Sequence, residues 1–223
     1  RQRQMCIRDR ECDIWKTLDG EFMVSHDGDL NRMFGYDFQI ATLTTEQIKK
    51  YFMINGSNVD AYDNLTMPTF EQYLGVMKKN KEVHPFVEIK EELNDADLRK
   101  IVKQVKDAGL LNETYFISMH QSNLLSLQRL DGVNTSQLQY VYGAEDFNKT
   151  TSVTSSVISW CINNQIDLDT RQSLVTASDV YRLQTAGRQV NVWTVNTIEK
   201  AYDLVNKLHV DMITTEYMLN TEP

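Results

Sequence analysis

The interval between short apolar, strand-like stretches constrains this chain more than any other feature. Such stretches lie at residues 12–15, 83–89, 114–118, 137–142, 165–168, 190–195 and 210–214, and from the second onward their starts step by 31, 23, 28, 25 and 20 residues. A hairpin would need only a few residues between strands, whereas parallel neighbours need a crossover of a dozen or more, usually a helix. The intervals match strand-helix-strand units of roughly 30 residues. The intervening segments carry helical stripes. Leu98, Ile101, Val102 and Val105 share one face, with Gly109 following as a stop signal. Leu124, Leu127 and Leu130 recur by threes behind Asn123, a candidate cap, and Thr197 precedes Ile198, Ala201, Tyr202 and Val205. The pattern predicts an α/β chain of the (β/α)8 TIM-barrel kind, one strand short of eight.

Residues 27–82 break the rhythm, being too long for a simple connection and too patterned for a linker. Thr44 to Gln47 and Thr69 to Gln72 each fit the capping-box pattern, the second directly after Pro68. Two short helices are expected there, inside a small insertion attached to the barrel. The first ten residues hold four Arg and one Asp, do not begin with Met and have no apolar core of a signal peptide. Residues 1–10 are expected to be a foreign tail, with residues 11–223 forming a single barrel domain that carries the insertion at about 27–82.

Composition narrows the function classes. A net charge of −8 and a pI near 5.0 argue against a nucleic-acid binder. No apolar run approaches the roughly 20 residues of a transmembrane helix. Cys6, Cys12 and Cys161 have neither the even count of a disulfide framework nor metal-ligand spacing. The oligomeric state stays open.

Four groups of residues stand out chemically. In Glu11-Cys12-Asp13 the two acids share one strand face, an awkward arrangement that a hard divalent cation would relieve and that a solvated edge-strand face would also tolerate. In Val87-Glu88-Ile89-Lys90, Glu88 and Lys90 oppose the apolar face, near the strand end where barrel active sites form. They would serve as a third carboxylate and a phosphate-binding ammonium, or as a buried ion pair. His26, followed by Asp27-Gly28, would suit a general acid or base at a loop entrance. Trp193, near the top of a late strand, would offer an aromatic wall or fill a core. Of the other histidines, His84 and His209 fall at the opposite rim from the chemistry, and His120 follows the strand at 114–118.

Taken in order, these groups resemble the glycerophosphodiester phosphodiesterase family. The resemblance runs from residue 11 to about 219. It rests on Glu11-Cys12-Asp13, Lys16-Thr17-Leu18-Asp19-Gly20, Val24-Ser25-His26-Asp27 with Leu30-Asn31-Arg32, Met67-Pro68-Thr69-Phe70-Glu71, Val87-Glu88-Ile89-Lys90, Val192-Trp193-Thr194-Val195-Asn196 and Val210-Asp211-Met212-Ile213-Thr214-Thr215. It implies a (β/α)8 barrel with an insertion after the second strand, which is where residues 27–82 fall. By the same resemblance Glu11, Asp13 and Glu88 would ligate one Ca²⁺ or Mg²⁺, and His26 would be one of two catalytic histidines. Lys90 would contact the phosphate and Trp193 would line the pocket beside the glycerol. The implied reaction is hydrolysis of glycerophosphodiesters to glycerol 3-phosphate and an alcohol.

One departure stands against this match. The family's first strand carries His-Arg-Gly, and none of His26, His84, His120 or His209 is followed by Arg-Gly. The expectation is an enzyme fragment lacking its first barrel strand and impaired for that reason. Two other readings remain: a phospholipid or inositol phosphodiesterase of the same barrel type, and a barrel that binds glycerophosphoryl groups without turnover.

Overall fold

The computed structural model describes residues 9–80, 82–144, 149–216 and 219. They fall into two compact units, one reaching to Thr114 and one starting at Tyr115.

In the first unit three strands lie in the order β2-β1-β3. β1 (Asp9–Lys16) runs parallel to β3 (His84–Ile89), with Asp13 beside Glu88, and antiparallel to the short β2 (Phe22–Val24). The return into β2 is made by a tight turn in which the Gly20 N–H donates to the Thr17 carbonyl at 2.9 Å, with Gly20 at φ 78°. β1 begins two residues inside the stretch expected as a tail, because Asp9 and Arg10 continue the ladder opposite His84 and Pro85. The Tyr73 hydroxyl also donates to the Arg10 carbonyl at 2.6 Å. Residues 1–8 of that stretch lie outside the described residues.

The segment predicted as an insertion holds α1 (Asn31–Phe34), α2 (Thr45–Ile48) and α3 (Phe70–Met77), with single 3-10 turns at Ile40–Thr42 and Val59–Ala61. Both capping boxes form as expected: Thr44 and Thr69 accept from the backbone of Gln47 and Gln72, whose side chains reach back. Met23, Leu30, Phe34, Ile40, Ile48 and Met67 make a core of their own, with Trp15 packed against it. This segment is thereby anchored to β1 and β2. After β3, α4 (Asp95–Asp107) buries Leu98, Ile101, Val102 and Val105, the predicted stripe, and is capped by Asn94.

In the second unit β4 (Tyr115–Ser118), β5 (Leu138–Tyr142), β6 (Asp167–Arg171), β7 (Val190–Trp193) and β8 (Met212–Ile213) are all parallel and adjacent in chain order. They alternate with α5 (Gln121–Leu127), α6 (Ser155–Asn164), α7 (Ala177–Thr185) and α8 (Ile198–Asn206). Leu168, Val190 and Val192 face these helices and join Ile158, Cys161, Val180, Leu183, Ala201 and Leu204 in one core. On the other sheet face Gln139 Nε2 lies 3.8 Å from Met212 Sδ. Two strands intervene between β5 and β8, so this sheet is curled and that face is concave.

β2 and α1 were not expected from the sequence, and two local expectations differ from the structure. The strand expected at 165–168 is β6 at 167–171, because Gln165 ends α6 in the left-handed conformation, φ 56°. All five β6 residues are buried although three are charged, which hid the strand from a hydrophobicity reading. Asn123 does not cap α5. His120 holds that position, and Asn123 is buried one turn in, donating to Ser118 Oγ at 3.2 Å.

Candidate active site

Strand geometry brings the three acids together. Glu11 and Asp13 are two residues apart on β1 and share a face, and the parallel register sets Asp13 directly beside Glu88 on β3. One carboxylate oxygen from each lies within 4.8 Å of the others. Glu11 is exposed, Asp13 half-buried and Glu88 buried.

Lys90 follows the end of β3, its N–H reaching the Ile14 carbonyl at 3.4 Å. Its Nζ lies 2.9 Å from Asp13 Oδ1 and 3.0 Å from Glu88 Oε1. Glu88 Oε1 is buried, and the Lys90 ammonium faces it. Burial pushes the Glu88 carboxyl up from the usual range and the nearby Asp13 carboxylate adds to this, against the pull of Lys90. Burial alone would lower Lys90, but Glu88 and Asp13 outweigh it and the ammonium is pushed up to about 12.

His26 lies just beyond β2, on a segment tied to β1 by the Ser25 N–H donating to the Asp13 carbonyl at 3.1 Å. Its Nδ1 is 2.7 Å from Asp27 Oδ1, while Arg32 Nε donates to Asp27 Oδ2 at 2.6 Å. A carboxylate can only accept, so Nδ1 carries the proton and Nε2 is left for proton exchange. Burial works against the Asp27 charge, but Arg32 and His26 outweigh it and hold the carboxyl below its usual range. The imidazole itself is 72% exposed. Gly28 has a steric reason: a Cβ there would come within 3.0 to 3.2 Å of the Trp15 ring. Asp27 and Arg32 were not singled out by sequence reasoning as an orienting pair. Their only signal was a carboxylate and a guanidinium five residues apart across a turn.

Trp193, the last residue of β7, belongs to the second unit, where it is half-buried beside its ladder partner Arg171. The Trp193–Thr194 peptide bond is cis. The same sheet face carries buried Gln139, Asp169, Arg171 and Asn191, polar residues that sequence reasoning did not pick out. Among the remaining histidines, His84 pairs with Glu113 at 3.1 Å and His209 sits at φ 62° ahead of β8.

The model of the glycerophosphoryl diester phosphodiesterase family matches residues 11–219. Among curated proteins nothing matches. Solved structures do. A glycerophosphodiester phosphodiesterase from Parabacteroides distasonis is 23% identical with a TM-score of 0.69, over 94% of this chain and 79% of that one. A phosphodiesterase from Oleispira antarctica, in complex with the product sn-glycerol-3-phosphate, is 20% identical with a TM-score of 0.77, over 93% and 80%. A glycerophosphodiester phosphodiesterase described from Galdieria sulphuraria is 16% identical with a TM-score of 0.76, over 95% and 82%. At these identities the structures speak for a shared fold, while the family match spans nearly the whole sequence: the chain belongs to the glycerophosphoryl diester phosphodiesterase family.

Proposed function

We propose that this protein hydrolyses glycerophosphodiesters to glycerol 3-phosphate and an alcohol, using one divalent cation, Ca²⁺ or Mg²⁺, held by Glu11, Asp13 and Glu88. The observation that carries the reading is the convergence of these three carboxylates within 4.8 Å. Lys90 is bracketed between Asp13 and Glu88, and Glu88 Oε1 is buried beside it. Three converging carboxylates form an all-oxygen donor set, which suits a hard cation rather than a soft one. Bound there, the cation would polarise a phosphoryl oxygen and stabilise charge in the transition state.

The chain's own groups divide the remaining work. Lys90 supplies a permanently charged ammonium to the phosphate. His26 exchanges a proton through Nε2, with Asp27 holding the ring and Arg32 holding Asp27. Trp193 lines the pocket beside the glycerol, and the Oleispira neighbour with bound sn-glycerol-3-phosphate supports that substrate class. The family match across both compact units supports reading residues 11–223 as one (β/α) barrel domain with its insertion at about 27–82. On this reading a strand bearing His-Arg-Gly, a motif that none of the four histidines begins, would supply the second imidazole.

The test is hydrolysis of glycerophosphocholine, followed as released glycerol 3-phosphate with and without chelator. A protein carrying the His-Arg-Gly strand upstream of these residues should be active and chelator-sensitive. The 223-residue chain should be slower by roughly 10²- to 10⁴-fold, the usual cost of losing a general acid or base. Failure of the extended protein to turn over would overturn the reading in favour of a barrel that binds glycerophosphoryl groups without reacting.

A further inference from the structure

The C-terminal end of β6 fastens three neighbouring segments at once. Thr170 Oγ1 donates to the Tyr142 carbonyl at 2.9 Å, at the end of β5. Arg171 Nη2 donates to the Thr150 carbonyl at 2.7 Å, in the connection that follows β5. Gln172 turns the other way, toward the end of β7. Its backbone N–H donates to the Trp193 carbonyl at 2.9 Å, and its side-chain Nε2 donates to the Thr194 carbonyl.

Both carbonyls that bracket the residue after the indole are therefore held by one glutamine. Thr194 fixes which way round the amide lies, since an amide oxygen cannot donate to a carbonyl. The amide oxygen is left buried with no donor among the described residues. Packing alone would favour an apolar side chain at such a place, because an unsatisfied buried acceptor is unfavourable. The register adds to this: Arg171 lies beside Trp193, so Gln172 follows directly from the indole's ladder partner.

We propose that Gln172 is a positioning residue for Trp193, and that through it β6 sets how tightly the glycerol end of the substrate is held. The inference rests on the reading of Trp193 as a pocket wall. Gln172→Glu keeps the size and the backbone donor but removes the side-chain donor, and Gln172→Ala removes the side chain.

The experiment uses the 223-residue chain labelled with 5-fluorotryptophan, followed by ¹⁹F NMR while sn-glycerol 3-phosphate is titrated in the presence of calcium. The three tryptophans give three resonances, assigned by single Trp→Phe variants. Both Gln172 variants should shift the Trp193 resonance, leave those of Trp15 and Trp160 in place, and weaken binding roughly fivefold, the size of one lost hydrogen bond. Trp193→Ala should weaken it at least as much. Unchanged binding and an unchanged Trp193 resonance in the Gln172 variants, with Trp193→Ala weakened, would overturn the positioning role alone. Movement of all three resonances with a lowered melting temperature would mark Gln172 as a general structural residue and overturn it too. Trp193→Ala binding like the wild type, or no binding by the wild type, would sink the pocket-wall reading and the positioning with it.

Discussion

Lys90 is held between two acids, with its Nζ 2.9 Å from Asp13 and 3.0 Å from Glu88. Removing one partner from a buried ionic group costs about 3–5 kcal/mol, mostly because the other charges stay buried. Lys90→Met should therefore lower the chelator-treated melting temperature sharply, and calcium should recover more stability in the variant than in wild type. Melts with and without calcium check this. Asp167 makes a second residue-scale case. Burial raises its carboxyl to about 6, despite the Gln189 N–H and Arg188 at 3.3 Å. Its folded pKa lies above the unfolded value of about 3.9, so the native state holds the proton more tightly. That contribution is full below about pH 4 and is lost as pH rises to about 6. Asp167→Asn should be the more stable protein at pH 8, by up to about 3 kcal/mol, with the gap closing toward pH 4 in urea titrations. The Glu88–Lys90 pair was readable in the sequence, but Asp13 beside Lys90 and the surroundings of Asp167 were not, because those partners come from other strands and loops.

At the scale of elements, local chemistry was readable wherever donor and acceptor are close in sequence. Both capping boxes are of this kind, and Thr69→Ala should cost about 1 kcal/mol in chemical denaturation. The stripe of α4 was equally plain, since one apolar face at helical spacing has one way to be buried. β6 was misplaced because its concave face is charged, a choice set by the sheet's curvature rather than by the strand. Gly28, in the segment that follows β2, lies against the ring of Trp15 on β1. Gly28→Ala would force that ring aside, and overpacking of this kind costs about 1–3 kcal/mol. A lower melting temperature together with an altered near-ultraviolet circular dichroism spectrum of Trp15 is the expected result.

For the molecule as a whole, all three proposed cation ligands lie on β1 and β3, in the unit that reaches to Thr114. A ligand that binds only the folded state stabilises it by mass action, about 2.7 kcal/mol at a hundredfold excess over Kd. Calcium should raise the melting temperature, and hydrogen exchange should slow most in β1 and β3. Glu88→Gln should abolish both effects; uniform protection across β5 to β8 instead would count against the assigned ligands.

The alternation of strand and helix, the capped helices at Thr45–Ile48 and Phe70–Met77 and the order of the motifs were all legible in the chain, because each depends on spacing along it. So was the grouping of Glu11 with Asp13, which needs only the two-residue period of a strand. What the chain could not show is that Asp13 and Glu88 stand side by side, that Arg32 steadies Asp27 and that Gln172 holds the carbonyls at Trp193. Each of these depends on parallel register or loop return, which brings together residues from 5 to 75 positions apart. Such contacts are set by how the elements pack, and packing is a property of the folded chain rather than of any stretch of it.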